Sequence, residues 1–194
     1  LPTRLSVSTL IRLKSDPEEL ALNIRRPMPS HTAKVARQGT EFHTWIERHF
    51  ETSVLFDDEI FDSPELDIDE GYESATLKKL KADWLASEWA ARQPISVEEG
   101  FEIVIEGILF RGRIDAVYRI DENRYEVVDW KTGSKKLGES AAIQLAMYRL
   151  AWAKIAGVDV SRVSACFHYV PTGEDDRRSD LLSEAQLVVL LEKH

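Results

Sequence analysis

The sequence contains a single cysteine, Cys166, among its 194 residues. One thiol excludes an intramolecular disulfide and a four-cysteine metal site, and it excludes an iron–sulfur cluster because such a cluster needs about four thiolates. Cys166 lies in the apolar stretch 163–170, where we expect it to be a small buried hydrophobic residue. The fold must therefore be held by an apolar core, which a chain of this length can bury without cross-links.

Long apolar runs are also missing. No run approaches the roughly 20 residues needed to cross a bilayer, and Arg4 and Arg12 interrupt the N-terminal stretch, so we expect no signal peptide. Both absences favour a cytoplasmic protein without a membrane anchor. There is no Gly-x-x-x-x-Gly-Lys phosphate loop and no dinucleotide fingerprint, so we expect no nucleotide cofactor in this fragment. The chain begins at Leu1 rather than Met, which favours a module from a longer polypeptide.

Basic residues are absent from the segment 51–76, which holds ten acidic residues. The net charge of the whole chain is -9, so the rest of the chain carries about +1, and the region 111–149 carries +2. The acidity that would oppose a nucleic-acid partner is thus confined to one segment, which we interpret as a solvated loop.

Hydrophobic periodicity predicts one α/β domain over 1–194, with a mainly helical N-terminal part (1–94, including the acidic loop 51–76) and a catalytic core (95–194). The predicted helices are 16–26, 32–50, 70–92, 139–156 and 183–193, and the predicted strands are 101–105, 108–118, 124–130 and 161–170. This order favours a mixed β-sheet flanked by helices.

Two carboxylates are predicted to converge on neighbouring strands. Residues two apart in a strand point to the same side, so Asp129 and Lys131 share a face. On the preceding strand, Arg111, Arg113 and Asp115 are predicted to share a face, with Ile114, Ala116 and Tyr118 on the other. If the strands pair as a hairpin, Asp115 and Asp129 meet.

Such a pair of carboxylates supplies the oxygen ligands that a hard divalent cation needs. A bound cation polarises a phosphoryl oxygen and lowers the pKa of a bound water towards roughly 7, and a nearby lysine offsets the developing charge. These groups could hydrolyse a phosphodiester. The residues alone leave an alternative, in which Asp115 pairs with Arg113 or Arg111 and Asp129 pairs with Lys131 as ordinary ion pairs.

Four segments together resemble the RecB-like branch of the PD-(D/E)xK nucleases. They are the Gly-x-x-x-His segment 39–43 (GTEFH), the Gly-x-x-Asp strand 112–117 (GRIDAV), the Asp-x-Lys strand 127–133 (VVDWKTG) and the Gln-x-x-x-Tyr helix 144–148 (QLAMY). Glu98 and Phe101 stand where that family often has a Glu and an aromatic residue. Ile114 replaces the Pro of the class name. Each motif alone is weak, but four in the right order are specific.

This resemblance implies a restriction-endonuclease-like core that cleaves DNA with Mg²⁺, for which Mn²⁺ can substitute. The implied catalytic residues are Asp115, Asp129 and Lys131. The implied metal ligands are His43, Asp115, Asp129 and the main-chain carbonyl of Trp130. The residues assigned to the DNA side are Gln144, Tyr148, Arg111 and Arg113. From the residues alone, a surface or boundary position is the favoured interpretation of His43. For Tyr148, a core position with Gln144 at its boundary is an equal alternative.

Members of this branch are often C-terminal domains of UvrD-type helicases that process double-strand breaks. The resemblance therefore implies DNA and a helicase motor, in the same chain or complex, as partners. Two alternatives stay open: a nuclease-like module that only binds DNA or a partner, and a stand-alone nuclease acting on RNA or on a specific DNA site. The presence of Asp115, Asp129 and Lys131 favours an enzyme over the first alternative.

Overall fold

The computed structural model describes residues 4–25, 34–55, 74–134, 138–179 and 181–192. Within these ranges six strands form one mixed sheet flanked by helices, which confirms the predicted α/β class. The strands are β1 (Arg4–Ser6), β2 (Ser96–Ile105), β3 (Ile108–Arg119), β4 (Tyr125–Lys131), β5 (Val163–Tyr169) and β6 (Glu174–Arg177). The helices are α1 (Val7–Ser15), α2 (Pro17–Arg25), α3 (Lys34–Leu55), α4 (Ala75–Leu85), α5 (Glu139–Ala156) and α6 (Glu184–Glu192).

The sheet is organised around β3. Strand β2 pairs with β3 in an antiparallel hairpin, β4 pairs antiparallel with β3, and β5 continues parallel to β4. Strand β1 runs parallel to β3, and β6 closes the far edge antiparallel to β5. The β2–β3 turn is Glu106-Gly107, both with positive φ (48° and 74°), as a two-residue hairpin turn requires.

One edge of β3 is shared between two strands that do not meet. Strand β1 pairs with β3 only at 109–111, and β4 pairs with it only at 116–119. Strand β4 then diverges, because its pairing with β5 continues to Lys131 while its pairing with β3 stops at Val128. We call the resulting opening the fork, defined by residues 112–115 of β3 and 129–131 of β4.

Two apolar layers hold the sheet. Helices α1, α2, α5 and α6 cover one face, with fully buried residues such as Phe110, Ile143 and Phe167 between them and the strands. Helices α3 and α4 cover the other face, where Phe42, Trp84 and aromatic residues of the strands pack together. Cys166 is buried in this second layer, as predicted. Within the described ranges, no helix has both the length and the apolar character needed to cross a bilayer.

Helix termini follow the local sequence. Asp16 accepts a hydrogen bond from the Glu19 amide (2.8 Å) and Pro17 opens α2, which confirms the predicted start of that helix. Helix α5 ends at Gly157, whose φ of 64° lies in the left-handed region that favours glycine.

The helices on either side of the acidic segment differ from their predicted bounds. Helix α3 continues to Leu55, so the predicted loop 51–76 begins as helix, and 56–73 lie outside the described residues. Helix α4 starts at Ala75, where Ser74 caps the Leu77 amide (3.2 Å), and ends at Leu85 instead of Arg92. It ends there because the chain turns, with the Ser87 amide bonded to the Trp84 carbonyl (2.9 Å).

Three further differences concern elements that alternation could not reveal. Strands β1 and β6 are three and four residues long, too short for a periodic pattern, and they were not predicted. Strand β2 begins at Ser96, five residues before its alternating part. On β3, Ile114 packs in the layer of α5, whereas Ala116 and Tyr118 pack in the layer of α3. The prediction that these three share a face was wrong, because the alternation changes phase at Asp115.

Gly112 is required by close packing beside the fork. A Cβ built there would lie 2.5 Å and 2.7 Å from two ring atoms of Phe101, whereas a Cβ at Gly100 would meet nothing within 4 Å. We therefore expect Gly112→Ala to lower the free energy of unfolding by about 1–3 kcal/mol. Gly100→Ala is the matched control, for which we expect a change within about 0.5 kcal/mol. Urea unfolding of both variants measures the difference, and equal stabilities would contradict the packing described.

Candidate functional site

One hydrogen bond between a main-chain amide and a side chain connects β3 and β4 at the fork. The amide of Trp130 donates to Oδ2 of Asp115 (2.8 Å). This amide lies beyond the last β3–β4 pair, at Val128, so the side chain of Asp115 accepts a hydrogen bond that the β3–β4 ladder does not use. Asp115 and Asp129 are 8% and 2% exposed. Buried carboxylates are costly unless they are partnered, so the groups around them indicate what this position is built to hold.

On the α3 side of the fork, a histidine and a second acid approach Asp115. His43 Nδ1 lies 3.1 Å from Oε1 of Glu98 and 3.5 Å from Oδ1 of Asp115. Helix α3 is fixed by its buried Phe42 and Ile46, and Gly39 faces Thr132 just beyond β4. The segment 39–43 is thereby positioned against the end of the Asp-x-Lys strand.

On the α5 side, Asp129 belongs to a hydrogen-bonded network. Its Oδ2 lies 2.5 Å from the ammonium of Lys131, and its Oδ1 accepts from Nε2 of Gln144 (3.0 Å). The amide of Gln144 also receives Lys131 at Oε1 (3.2 Å) and donates to the hydroxyl of Tyr148 (3.0 Å). Gln144 and Tyr148 are one helical turn apart on α5, as their spacing predicts.

Charge and burial compete at these groups. Burial by itself lowers the pKa of His43, but the hydrogen bond with Glu98 and the charges of Asp115, Glu98 and Asp129 outweigh it and raise the pKa to about 9. Burial and the neighbouring charge of Asp129 raise the pKa of Asp115 well above its usual range. For Glu98, burial opposes ionisation, yet its bonds to His43 and Arg113 hold the pKa below its ordinary value. The cluster thus stabilises positive charge at its centre.

The donor set suits a divalent cation. In the part of the chain that the structure describes, His43, Glu98 and Asp115 form a group whose ligand atoms all lie within 4.8 Å of one another. Oδ2 of the buried Asp129 makes no hydrogen bond with good geometry, although Lys131 is close. One imidazole nitrogen and several carboxylate oxygens are ligands that Mg²⁺ or Mn²⁺ accepts. Asp129 lies outside this three-residue group and contacts Gln144 and Lys131.

The remaining predicted positions divide between the fork and its surroundings. Arg113 donates to Oε2 of Glu98 (3.2 Å) and so joins the site indirectly. Arg111 pairs instead with Glu102 across the β2–β3 ladder (2.7 Å), on the exposed face. The Trp130 side chain packs in the layer of α3, away from Lys131.

Both alternatives raised by the sequence can be compared with these contacts. Asp129 does pair with Lys131, as the ion-pair alternative expects, whereas Asp115 contacts His43 and a main-chain amide rather than Arg111 or Arg113. Gln144 is half-buried and Tyr148 is buried, and Tyr148 also contacts the Phe101 ring edge-on (5.8 Å). Tyr148 thus has the buried position expected of a core residue, with Gln144 at its boundary, and the DNA-side role of this helix face stays a prediction.

Glu98 is the site residue to which the sequence assigned no role. Its only signal was the resemblance, which marked a frequent Glu at that position. No spacing rule points to it, because its backbone leaves the strand pattern: its φ is 51°, in the left-handed region, and it stands opposite Asp115 where the β2–β3 register skips a pair. Such strain in a non-glycine residue is costly, and it turns the carboxylate towards His43.

Comparisons with known proteins bear on the fold and on the family. A protein from Eubacterium rectale that bears the name "Putative exonuclease" has a solved structure similar to this chain, with a TM-score of 0.53 and 16% identity over 98% of this chain and 77% of that one. The solved structure of SSO0001 gives a TM-score of 0.47 and 20% identity over 100% of this chain and 75% of that one. No curated protein matches. A family model described as the PD-(D/E)XK nuclease superfamily matches residues 4–188. The chain therefore belongs to the PD-(D/E)XK nuclease superfamily.

Proposed function

We propose that this member of the nuclease superfamily is a Mg²⁺-dependent deoxyribonuclease whose active site is the fork. One observation carries the proposal: two buried carboxylates from neighbouring strands, Asp115 and Asp129, converge with Lys131 on one side and with His43 and Glu98 on the other. Structural ion pairs alone would not need two acids and a histidine around one point, with the buried Asp129 on the neighbouring strand.

In this proposal the cation is held by His43, Glu98, Asp115 and Asp129, together with the Trp130 carbonyl. A bound cation supplies Lewis acidity towards a phosphoryl oxygen and makes water a better nucleophile. Lys131, held beside Asp129, is a positive charge close to the reacting phosphate, where it stabilises the charge that develops in the transition state. The carboxylate of Asp129 keeps that lysine oriented.

We propose further that the domain works in DNA end processing with a helicase motor, in the same chain or in a complex. The charge distribution supports this role. The segment 51–76 repels phosphate, and the region 111–149 offers a net charge of only +2, so few phosphates are neutralised and intrinsic DNA affinity is expected to be low. A motor that delivers the strand raises its local concentration and replaces that affinity.

The substrate is tested with the purified chain on labelled single-stranded DNA, double-stranded DNA and RNA, with Mg²⁺, Mn²⁺ or EDTA. The proposal expects cleavage of DNA that EDTA abolishes. Cleavage of RNA alone would contradict the DNA assignment, and binding without cleavage in either metal would favour a nuclease-like binding module.

Asp129→Asn removes a charge and keeps the shape of the side chain. We expect it to reduce cleavage by about 100-fold or more, because a proposed metal ligand loses its charge while the fold stays intact. Asp121→Asn is the matched control, since Asp121 lies in the exposed β3–β4 turn. We expect the Asp121→Asn protein to cleave DNA normally. Near-normal cleavage by a folded Asp129→Asn protein would refute the proposed role of Asp129.

Glu98 and Glu99 are adjacent acids with different surroundings. Glu98 contacts His43, whereas Glu99 bonds to Ser96 outside the group. Glu98→Gln should therefore weaken Mn²⁺ binding by about 10-fold or more, and Glu99→Gln should not. Isothermal titration of Mn²⁺ into both variants gives the comparison. Equal affinities would remove Glu98 from the ligand set.

Lys131 should matter to turnover rather than to metal affinity, because a protonated ammonium has no lone pair to donate. Lys131→Ala is expected to bind Mn²⁺ at least as well as the wild type, since a neighbouring positive charge is lost, yet to cut poorly. Lys154→Ala, an exposed lysine of α5, serves as the control. Loss of Mn²⁺ binding by a folded Lys131→Ala protein would be incompatible with the role given to this residue.

A further inference from the structure

Gln144 lies between the acid Asp129 and the base Lys131 of the fork. Its side-chain amide makes three hydrogen bonds: it donates from Nε2 to Asp129 Oδ1 (3.0 Å) and to the Tyr148 hydroxyl (3.0 Å), and it accepts Lys131 Nζ at Oε1 (3.2 Å). One side chain thus touches both members of the Asp-x-Lys pair. Its position on α5 is fixed by Ile143 and Leu145, neither of which is exposed.

The orientation of this amide is dictated by its partners. An ionised carboxylate can only accept and an ammonium can only donate, so the nitrogen must face Asp129 and the oxygen must face Lys131. The opposite orientation would set oxygen against oxygen and nitrogen against nitrogen. The side-chain amide of Gln144 therefore has a single orientation, which the carboxylate of Asp129 and the ammonium of Lys131 set.

The number of hydrogens on the Gln144 amide argues against a hydrogen bond between Gln144 and DNA. Its amide has two hydrogens, and both are engaged, one with Asp129 and one with the hydroxyl of Tyr148. A phosphate oxygen can only accept, so Gln144 has no hydrogen left to offer it. Tyr148 accepts from Gln144 and keeps its own hydroxyl proton, so Tyr148 is the member of the pair that can donate to a phosphate.

Lys131 needs an acceptor other than Asp129. The ammonium lies 2.5 Å from Asp129 Oδ2, yet in the proposed function that carboxylate also serves a cation. A carboxylate shared with a cation attracts the ammonium less, because its negative charge is offset. The neutral oxygen of Gln144 does not bind the cation in this arrangement and can hold Lys131 at the same position throughout.

We propose that Gln144 is a positioning residue that keeps Lys131 in place through its Oε1 atom. This inference rests on the proposed function. It predicts that the effect of Gln144 on catalysis passes through Lys131, so the two residues should act as one unit rather than independently.

The test is a double-mutant cycle in the complete chain, using Gln144→Met, Lys131→Ala and the double variant. Gln144→Met keeps the length of the side chain and removes all three hydrogen bonds. Three quantities are measured for each protein: kcat at saturating DNA with Mn²⁺, DNA affinity with Ca²⁺ in place of Mn²⁺, and Mn²⁺ affinity by calorimetry. Gln186→Met, an exposed position of α6, is the matched control for the substitution itself.

We expect Gln144→Met to lower kcat by about 10- to 100-fold, the cost of a catalytic group misplaced by about 1 Å. DNA affinity should stay within about twofold, and in the Lys131→Ala background the same substitution should lower kcat by no more than about twofold. Gln144→Asn, which keeps the amide but cannot reach all three partners, should repeat this pattern if Gln144→Met proves unstable to heat.

Three results would overturn the inference. A full-sized further loss of kcat in the Lys131→Ala background would mean that Gln144 acts independently of the lysine. Weakened DNA affinity with kcat retained would mean that Gln144 contacts the substrate. In both cases the wild type cuts DNA, so the proposed function survives. A wild-type chain that cuts no nucleic acid would overturn the proposed function and this inference together.

Discussion

The hydrogen bond from the Trp130 amide to Asp115 is the contact on which the site depends. At that point β4 no longer pairs with β3 and continues beside β5. The Trp130 amide is therefore outside the β3–β4 ladder and donates to the Asp115 side chain instead. Their bond closes the fork on one side and leaves Asp129 and Lys131 directed into it. The apolar layers on both faces of the sheet bury the carboxylates. Buried carboxylates are costly without a partner, so a positive charge between them is stabilising.

Much of this arrangement could be predicted because it follows from periodicity. The alternation around Asp129 and Lys131, the hairpin that opposes Asp115 to Asp129, and the helical spacing of Gln144 and Tyr148 are all local patterns. The long helix of His43 could be predicted in the same way. These elements need no knowledge of tertiary contacts, and the resemblance of four motifs supplied the roles that spacing alone left open.

The features that could not be predicted are those that depend on neighbouring elements rather than on the local sequence. Glu98 enters the site through a left-handed backbone conformation, which no propensity favours in a glutamate. The phase change at Asp115 places Ile114 and Ala116 in opposite layers, and it coincides with the skipped pair opposite Glu98 in the β2–β3 register. Strand β1 is recognisable only once β3 offers it an edge. Each of these features is set by a neighbouring element.

Membership of the nuclease superfamily, the buried acids and the positive charge they favour converge on one central claim, that the fork binds a catalytic divalent cation. A crystal structure of the wild-type chain grown with Mn²⁺, analysed by anomalous scattering, tests that claim most directly. We expect a peak within about 2.0–2.6 Å of oxygens from Asp115 and Asp129, with His43 and Glu98 completing the shell. A fully occupied Mn²⁺ elsewhere on the chain, with the fork free of metal in a protein that cleaves DNA in the same buffer, would contradict it.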